Sequence, residues 1–190
     1  MHGWIFYILP EKTNSLTRTG PSKICKAILR LHGLIGSLAQ KKAGEEIMIN
    51  ENASLLEEIY QATKMGLEAT QLIIPKVQNP QLRTEIEDHA LRYQDMGAKA
   101  KQMLHTDGRM PKPEKTMQKA MLRGSIQINT MMNQTPSHIA KLMINGTAMG
   151  IKDITKNLNR LDGADTEVKK LAEDYIINEQ KNIDELKKHL

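Results

Sequence analysis

From residue 52 onward, apolar residues recur at alternating steps of four and three, the spacing of helices rather than the two-residue alternation of strands. Between about Ala53 and Val77 the series reads Ile59, Thr63, Gly66, Thr70, Ile73 and Val77, predicting a first helix whose last turn Pro75 loosens. Asn79-Pro80 is a short break, so a second helix should fold back antiparallel to the first. It carries Leu82, Ile86, His89, Tyr93, Met96, Ala100 and Met103 in a bundle-like seam. Asp107-Gly108 and Pro111-Lys112-Pro113 form the longest break, and a third helix is expected on Met117, Met121, Gly124, Ile128 and Met131. Thr135-Pro136 reads as the N-cap and first residue of a fourth helix, with Ile139, Met143, Gly146, Gly150, Ile154 and Leu161 on its seam. After a tight turn at Asp162-Gly163-Ala164-Asp165, a fifth helix runs to the C-terminus on Ala172, Ile176, Ile183, Leu186 and Leu190. The expected fold class is all-α.

The pattern also repeats. Met65-Gly66-Leu67 returns as Met149-Gly150-Ile151, 84 residues on, and Thr70, Ile74 and Val77 then match Ile154, Leu158 and Leu161. Past a turn taken as two residues longer in the second copy, Leu82, Ile86, His89 and Ala100 match Val168, Ala172, Tyr175 and Leu186. Helices one and two thus make one hairpin and helices four and five another. Two hairpins joined by a long connection, here holding helix three, is the topology of ferritin-like four-helix bundles.

Composition narrows the function classes. Of 190 residues, 39% are apolar and only 3% aromatic, so the core is built from Ile, Leu, Met and Ala rather than from rings. The single cysteine, Cys25, excludes an internal disulfide and a Cys-based zinc site, and no apolar run is long enough for a transmembrane helix. The formal charge of +5 is uneven: residues 1–50 hold seven Lys/Arg against three acids, while the remainder holds 20 against 19 with the signs interspersed. A phosphate-binding face needs clustered positive charge, so no nucleic-acid partner is expected.

The same asymmetry suggests a basic N-terminal tail over 1–47 and a helical domain over 48–190. Residues 12–44 contain no acid, and Ile24, Ile28, Leu31, Ile35 and Leu38 fall at helical spacing, compatible with a membrane-surface helix. An export or organelle signal is the second reading, although the short apolar run Trp4–Leu9 has no base before it. The favoured reading is a misplaced start: Gly44-Glu45 is encoded by a purine-rich stretch resembling a bacterial ribosome-binding site, two codons ahead of Met48. Intact mass decides, since a native species containing Trp4 rejects it.

The segments LLEEIYQATKMGLEATQLIIPKV, TPSHIAKLMINGTAMGI and NEQKNIDELKKHL resemble small uncharacterised ferritin-like helical-bundle proteins of anaerobic, often spore-forming Gram-positive bacteria, over roughly residues 50–190. The resemblance implies a bacterial, cytoplasmic, ferritin-like bundle with no assigned activity.

Ferritin-like folds raise the question of a di-iron centre, which takes a Glu from each of two helices and a Glu-x-x-His pair from each of the others. The sequence supplies this incompletely. Helix five offers Glu179-x-x-Asn182, with Asn where His is needed; helix two offers His89, with Ile86 in the Glu position; helix four offers Asp153 at best. His89, Glu179, Asp153 and Asn182 are therefore the candidate metal residues, with no cofactor expected and iron the alternative. Glu179 falls on the apolar stripe, where a carboxylate must be paired or protonated. It is read either as half of a residual site with His89 or as a structural hydrogen-bond partner of His89, Asn182 or a Tyr. Ten of the twelve methionines lie between Met65 and Met149 without a Met-x-x-Met cluster, reading as core filler rather than a copper site. Gly66, Gly97, Gly124, Gly146 and Gly150 inside helices suggest close helix approach, within the bundle or between subunits. No nucleophile–base motif or phosphate loop appears. The expectation is a non-catalytic structural or interaction module, self-associating or bound to a protein partner; the alternative is an iron-binding or ferroxidase-type bundle using Glu179 and His89.

Overall fold

The computed structural model describes residues 23–113, 122–127, 130, 133–161 and 163–190, with side chains from residue 37 onward. Residues 1–22 of the expected tail, Met117, Met121, Ile128 and Met131 of the expected third helix, and Asp162 lie outside the described residues. The chain divides into two compact units, Met1–Lys42 and Ala43–Leu190. Its α-helices are α1 (Lys23–Ile73), α2 (Pro80–Thr106), α3 (residues 122–127), α4 (Pro136–Arg160) and α5 (Thr166–Leu186). Short 3-10 turns follow α1 at Ile74–Lys76 and α5 at Lys187–His189. Among the described residues there is no strand, and no helix is long and apolar enough to cross a membrane.

Most boundaries follow from local chemistry. Pro75 sits in the 3-10 turn that ends the first helical run. Asn79 caps α2 by accepting from the Leu82 amide at 2.9 Å, and Thr135 caps α4 by accepting from His138, each with proline at the first helical position. Gly108, at φ +70°, ends α2: its amide donates to the His105 carbonyl and that of Arg109 to Leu104, the double reverse bond of a Schellman stop. The start of α1 differs from expectation. The helix begins at Lys23 rather than near Ala53 and continues through Asn50-Glu51-Asn52. Asn52 is buried because its side chain faces the first turn of α5, donating to the Asp165 carboxylate at 2.6 Å and accepting from the Asp165 amide at 2.7 Å.

The interior has two apolar clusters. One joins Leu55, Leu56 and Ile59 of α1 to the end of α2 (Ala100, Leu104), the end of α4 (Ile154) and the start of α5 (Val168, Leu171). The other joins Ile73 and Val77 to the start of α2 (Leu82, Ile86), α3 (Ile126), the start of α4 (Ile139, Met143) and the end of α5 (Leu186). Each fully buried aliphatic side chain contributes about 1.5–3 kcal/mol. It follows that α1 and α5 run from the first cluster to the second, and α2 and α4 run the opposite way. The connection from α2 to α4 must therefore travel the length of the bundle.

That crossover is lashed to α1 in chain order. Arg109 donates to the Asn50 side chain, and the Glu57 carboxylate accepts the Lys112 amide at 3.0 Å. Gln61 donates to the Lys112 carbonyl at 2.9 Å, Arg123 pairs with Glu68, and Lys76, just past α1, donates to Thr130. Two expectations about packing change. Met65 and Met149, read as core filler, are exposed, whereas Met96 and Met143 are buried. Gly124 and Gly146 have nothing within 4 Å of an added Cβ, so of the five helical glycines named above Gly66, Gly97 and Gly150 mark close approaches.

Candidate functional site

Between the two apolar clusters lies a polar layer. Glu179 on α5, 1% exposed, is its centre. Tyr93 of α2 donates its hydroxyl to Glu179 Oε2 at 2.9 Å, and the polar side chains of Thr147 on α4 and of Tyr175 and Asn182 on α5 lie around the carboxylate and favour its charged form. A carboxylate offers about four lone-pair sites, and uncharged hydroxyl and amide groups surround this one. Burial nevertheless dominates: it pushes the Glu179 carboxyl from the usual 4.5 up to about 7, against the opposing hydrogen bonds. Burial, then the neighbouring Glu179 charge, holds the Tyr93 and Tyr175 hydroxyls above their ordinary range, so both remain donors.

The network continues outward along the α2–α5 seam. The Asn182 side-chain oxygen accepts from Arg92 Nε at 3.0 Å and Nη2 at 2.8 Å, leaving its amide N–H groups for Glu179. Arg92 also meets Glu185 Oε2 at 2.6 Å, the atom that faces His89 Nε2 at 3.0 Å. Glu185 stays below the usual carboxylate range, because the His89 hydrogen bond and the Arg92 charge outweigh its partial burial. Burial pulls the His89 pKa down, against Glu185, so the ring is neutral at neutral pH. Since a carboxylate only accepts, Nε2 carries the proton and the buried Nδ1 is left as an acceptor with no partner. One turn along, His189 Nε2 lies 2.8 Å from Glu85 Oε2. The helices thus exchange two crossed His–Glu pairs, His89 with Glu185 and Glu85 with His189.

These crossed pairs have a sequence signal, Glu85-x-x-x-His89 and Glu185-x-x-x-His189. A search for di-iron Glu-x-x-His spacing passes over it. Of the four candidate metal residues, the structure links Glu179 with Asn182 and gives His89 a different partner, Glu185. Asp153 is exposed on α4. Among the described residues, no three of His, Cys, Asp and Glu are grouped so as to hold a metal ion.

Glycines set the geometry of the layer and correct the register of the repeat. A Cβ on Gly66 would lie 2.6 Å from the Tyr93 ring, and one on Gly150 would lie 2.5 Å from the Tyr175 hydroxyl. The glycines are 84 residues apart and the tyrosines 82, so Tyr93 rather than His89 is the counterpart of Tyr175, and the second turn is the shorter one. The same register pairs Gly97 with Glu179 and Thr63 with Thr147. In the first hairpin Thr63 Oγ1 would be only 2.8 Å from a Cβ on Gly97; in the second, Thr147 lies beside the Glu179 carboxylate. A four-residue slip leaves every apolar position on the stripe, which is why periodicity alone chose the wrong offset.

No family profile matches the chain, and no curated protein does. Among solved structures, a crystallised DUF305 fragment from Deinococcus radiodurans is similar, with a TM-score of 0.58 over 73% of this chain and 93% of the fragment. At 16% identity the likeness is one of fold: an all-helical architecture shared with the DUF305 fragment.

Proposed function

We propose that this chain is a ferritin-like helical bundle serving as a non-catalytic structural or interaction module of the bacterial cytoplasm, through self-association or a protein partner. The crossover topology, with α2 parallel to α4, supports the ferritin-like arrangement. One observation carries the functional reading: Glu179, the central carboxylate, is surrounded by hydroxyl and amide groups. A di-iron cage needs several carboxylates and imidazoles facing one another at mid-height. Here His89 is turned to Glu185, Asn182 is held by Arg92, and Asp153 faces outward. The residues present do not fit that pair of metals. An iron-binding or ferroxidase-type reading on Glu179 and His89 has one observation in its favour, the buried, unpartnered Nδ1 of His89. Metal analysis of protein purified without oxygen separates the two. The expected result is no stoichiometric iron; about one or two irons per chain, the content of a di-iron centre, would overturn the structural reading.

A further inference from the structure

The crossover is bonded to α1, and among the described residues no such strap lies over the outer face of α2 and α5. Leu91 on α2 and Ile177 on α5 stand 60% and 65% exposed there. Asp88, Leu91 and Asp95 follow at steps of three and four along α2, and Ile177, Lys181 and Lys188 at steps of four and seven along α5, so each set shares one helix face. All four charged residues are exposed. Lys181 makes only a long 3.9 Å contact with Glu185.

The heights of the two stripes are fixed by the bonds across the seam. Glu85 is level with His189, His89 with Glu185, and Tyr93 with Glu179. Asp88 therefore lies within a turn of Lys188 in height, and Asp95 within a turn of Lys181. A two-fold axis parallel to the helices sets α2 of one copy against α5 of the other with heights unchanged. Asp88 then faces Lys188 and Asp95 faces Lys181, each pair occurring twice, with Leu91 between the two pairs and Ile177 just beyond the Asp95–Lys181 pair; Asp184, on the same face of α5, is already paired with Lys187 at 2.9 Å. We propose that this face is a homodimer interface, α2 against α5 of a second copy. This rests on the structural reading above and names the partner. Self-complementary charge favours a second copy over an anionic lipid surface, which Asp88 and Asp95 would repel.

The test is sedimentation equilibrium of the full chain from low to high micromolar concentration, with circular dichroism to confirm folding of each variant. A monomer–dimer equilibrium is expected. Leu91→Asp should weaken it by about tenfold or more, the loss of a central apolar anchor. Asp95→Lys should weaken it similarly, and adding Lys181→Asp to Asp95→Lys should restore it, because the reversed pair is again complementary. A monomer at every concentration, a dimer indifferent to Leu91→Asp, or a double variant no better than Asp95→Lys would each overturn the interface. Iron content is independent of these outcomes: an iron-free monomer removes this interface alone, and an iron-loaded dimer removes the structural reading alone.

Discussion

Replacing Glu179 with Gln isolates the electrostatics of the polar layer. The carboxyl is raised from 4.5 to about 7, chiefly by burial. An acid with a raised folded-state pKa contributes its full stability below the unfolded value and loses it as pH rises through the folded value. The native chain should therefore lose about 3 kcal/mol from this group between pH 4.5 and pH 8, at about 1.4 kcal/mol per pKa unit. The amide of Glu179→Gln does not titrate, and the Tyr and Thr hydroxyls around it can rotate to donate or accept. Urea unfolding of both proteins, followed by circular dichroism at half-unit pH steps, gives the difference directly. Subtracting the two curves cancels the opposite trend of His89, whose lowered pKa makes acid destabilising. Glu179→Gln should be near-neutral at pH 5 and gain on the native chain as pH rises through 7. A flat difference would refute the reasoning. A native chain favoured increasingly at high pH would mean that a positive charge, such as a metal, faces the carboxylate.

Four further substitutions probe the frame of the bundle. Gly66→Ala and Gly150→Ala should destabilise by about 1–3 kcal/mol, overpacking against Tyr93 and Tyr175 outweighing the gain in helix propensity. Gly146→Ala, with open space around it, should instead stabilise by up to about 1 kcal/mol in the same thermal melts. Glu57→Ala removes both acceptors of the Lys112 amide, so limited trypsin digestion at Arg109 should speed up several-fold. An unchanged cleavage rate would show that the other straps suffice.

The long elements were legible because their signals are local: Asn79-Pro80, Thr135-Pro136 and Asp107-Gly108 each specify a start or stop whatever surrounds them. The beginning of α1 was not, because Asn50-Glu51-Asn52 looks like a polar leader until α5 supplies Asp165 as a partner for Asn52. Glu179 could be singled out as a carboxylate on an apolar stripe. Its polar neighbours, from three helices, are fixed only by tertiary packing. The crossed His–Glu pairs were visible as spacing but belong to no motif, and Leu91 and Ile177 look like ordinary members of a periodic pattern.

The hydrophilic waist has a consequence for how the helices find their alignment. Oily stripes on neighbouring helices stay in contact when one slides past the other by a single turn, so they hold the bundle together without stating where each helix must stop. Sliding α5 that way would pull Glu179 from Tyr93 and break both rungs formed with His89 and Glu85. Stranding a carboxylate among aliphatic side chains costs several kcal/mol. The buried acid thus works as a detent, a notch that lets the chain settle at one axial position.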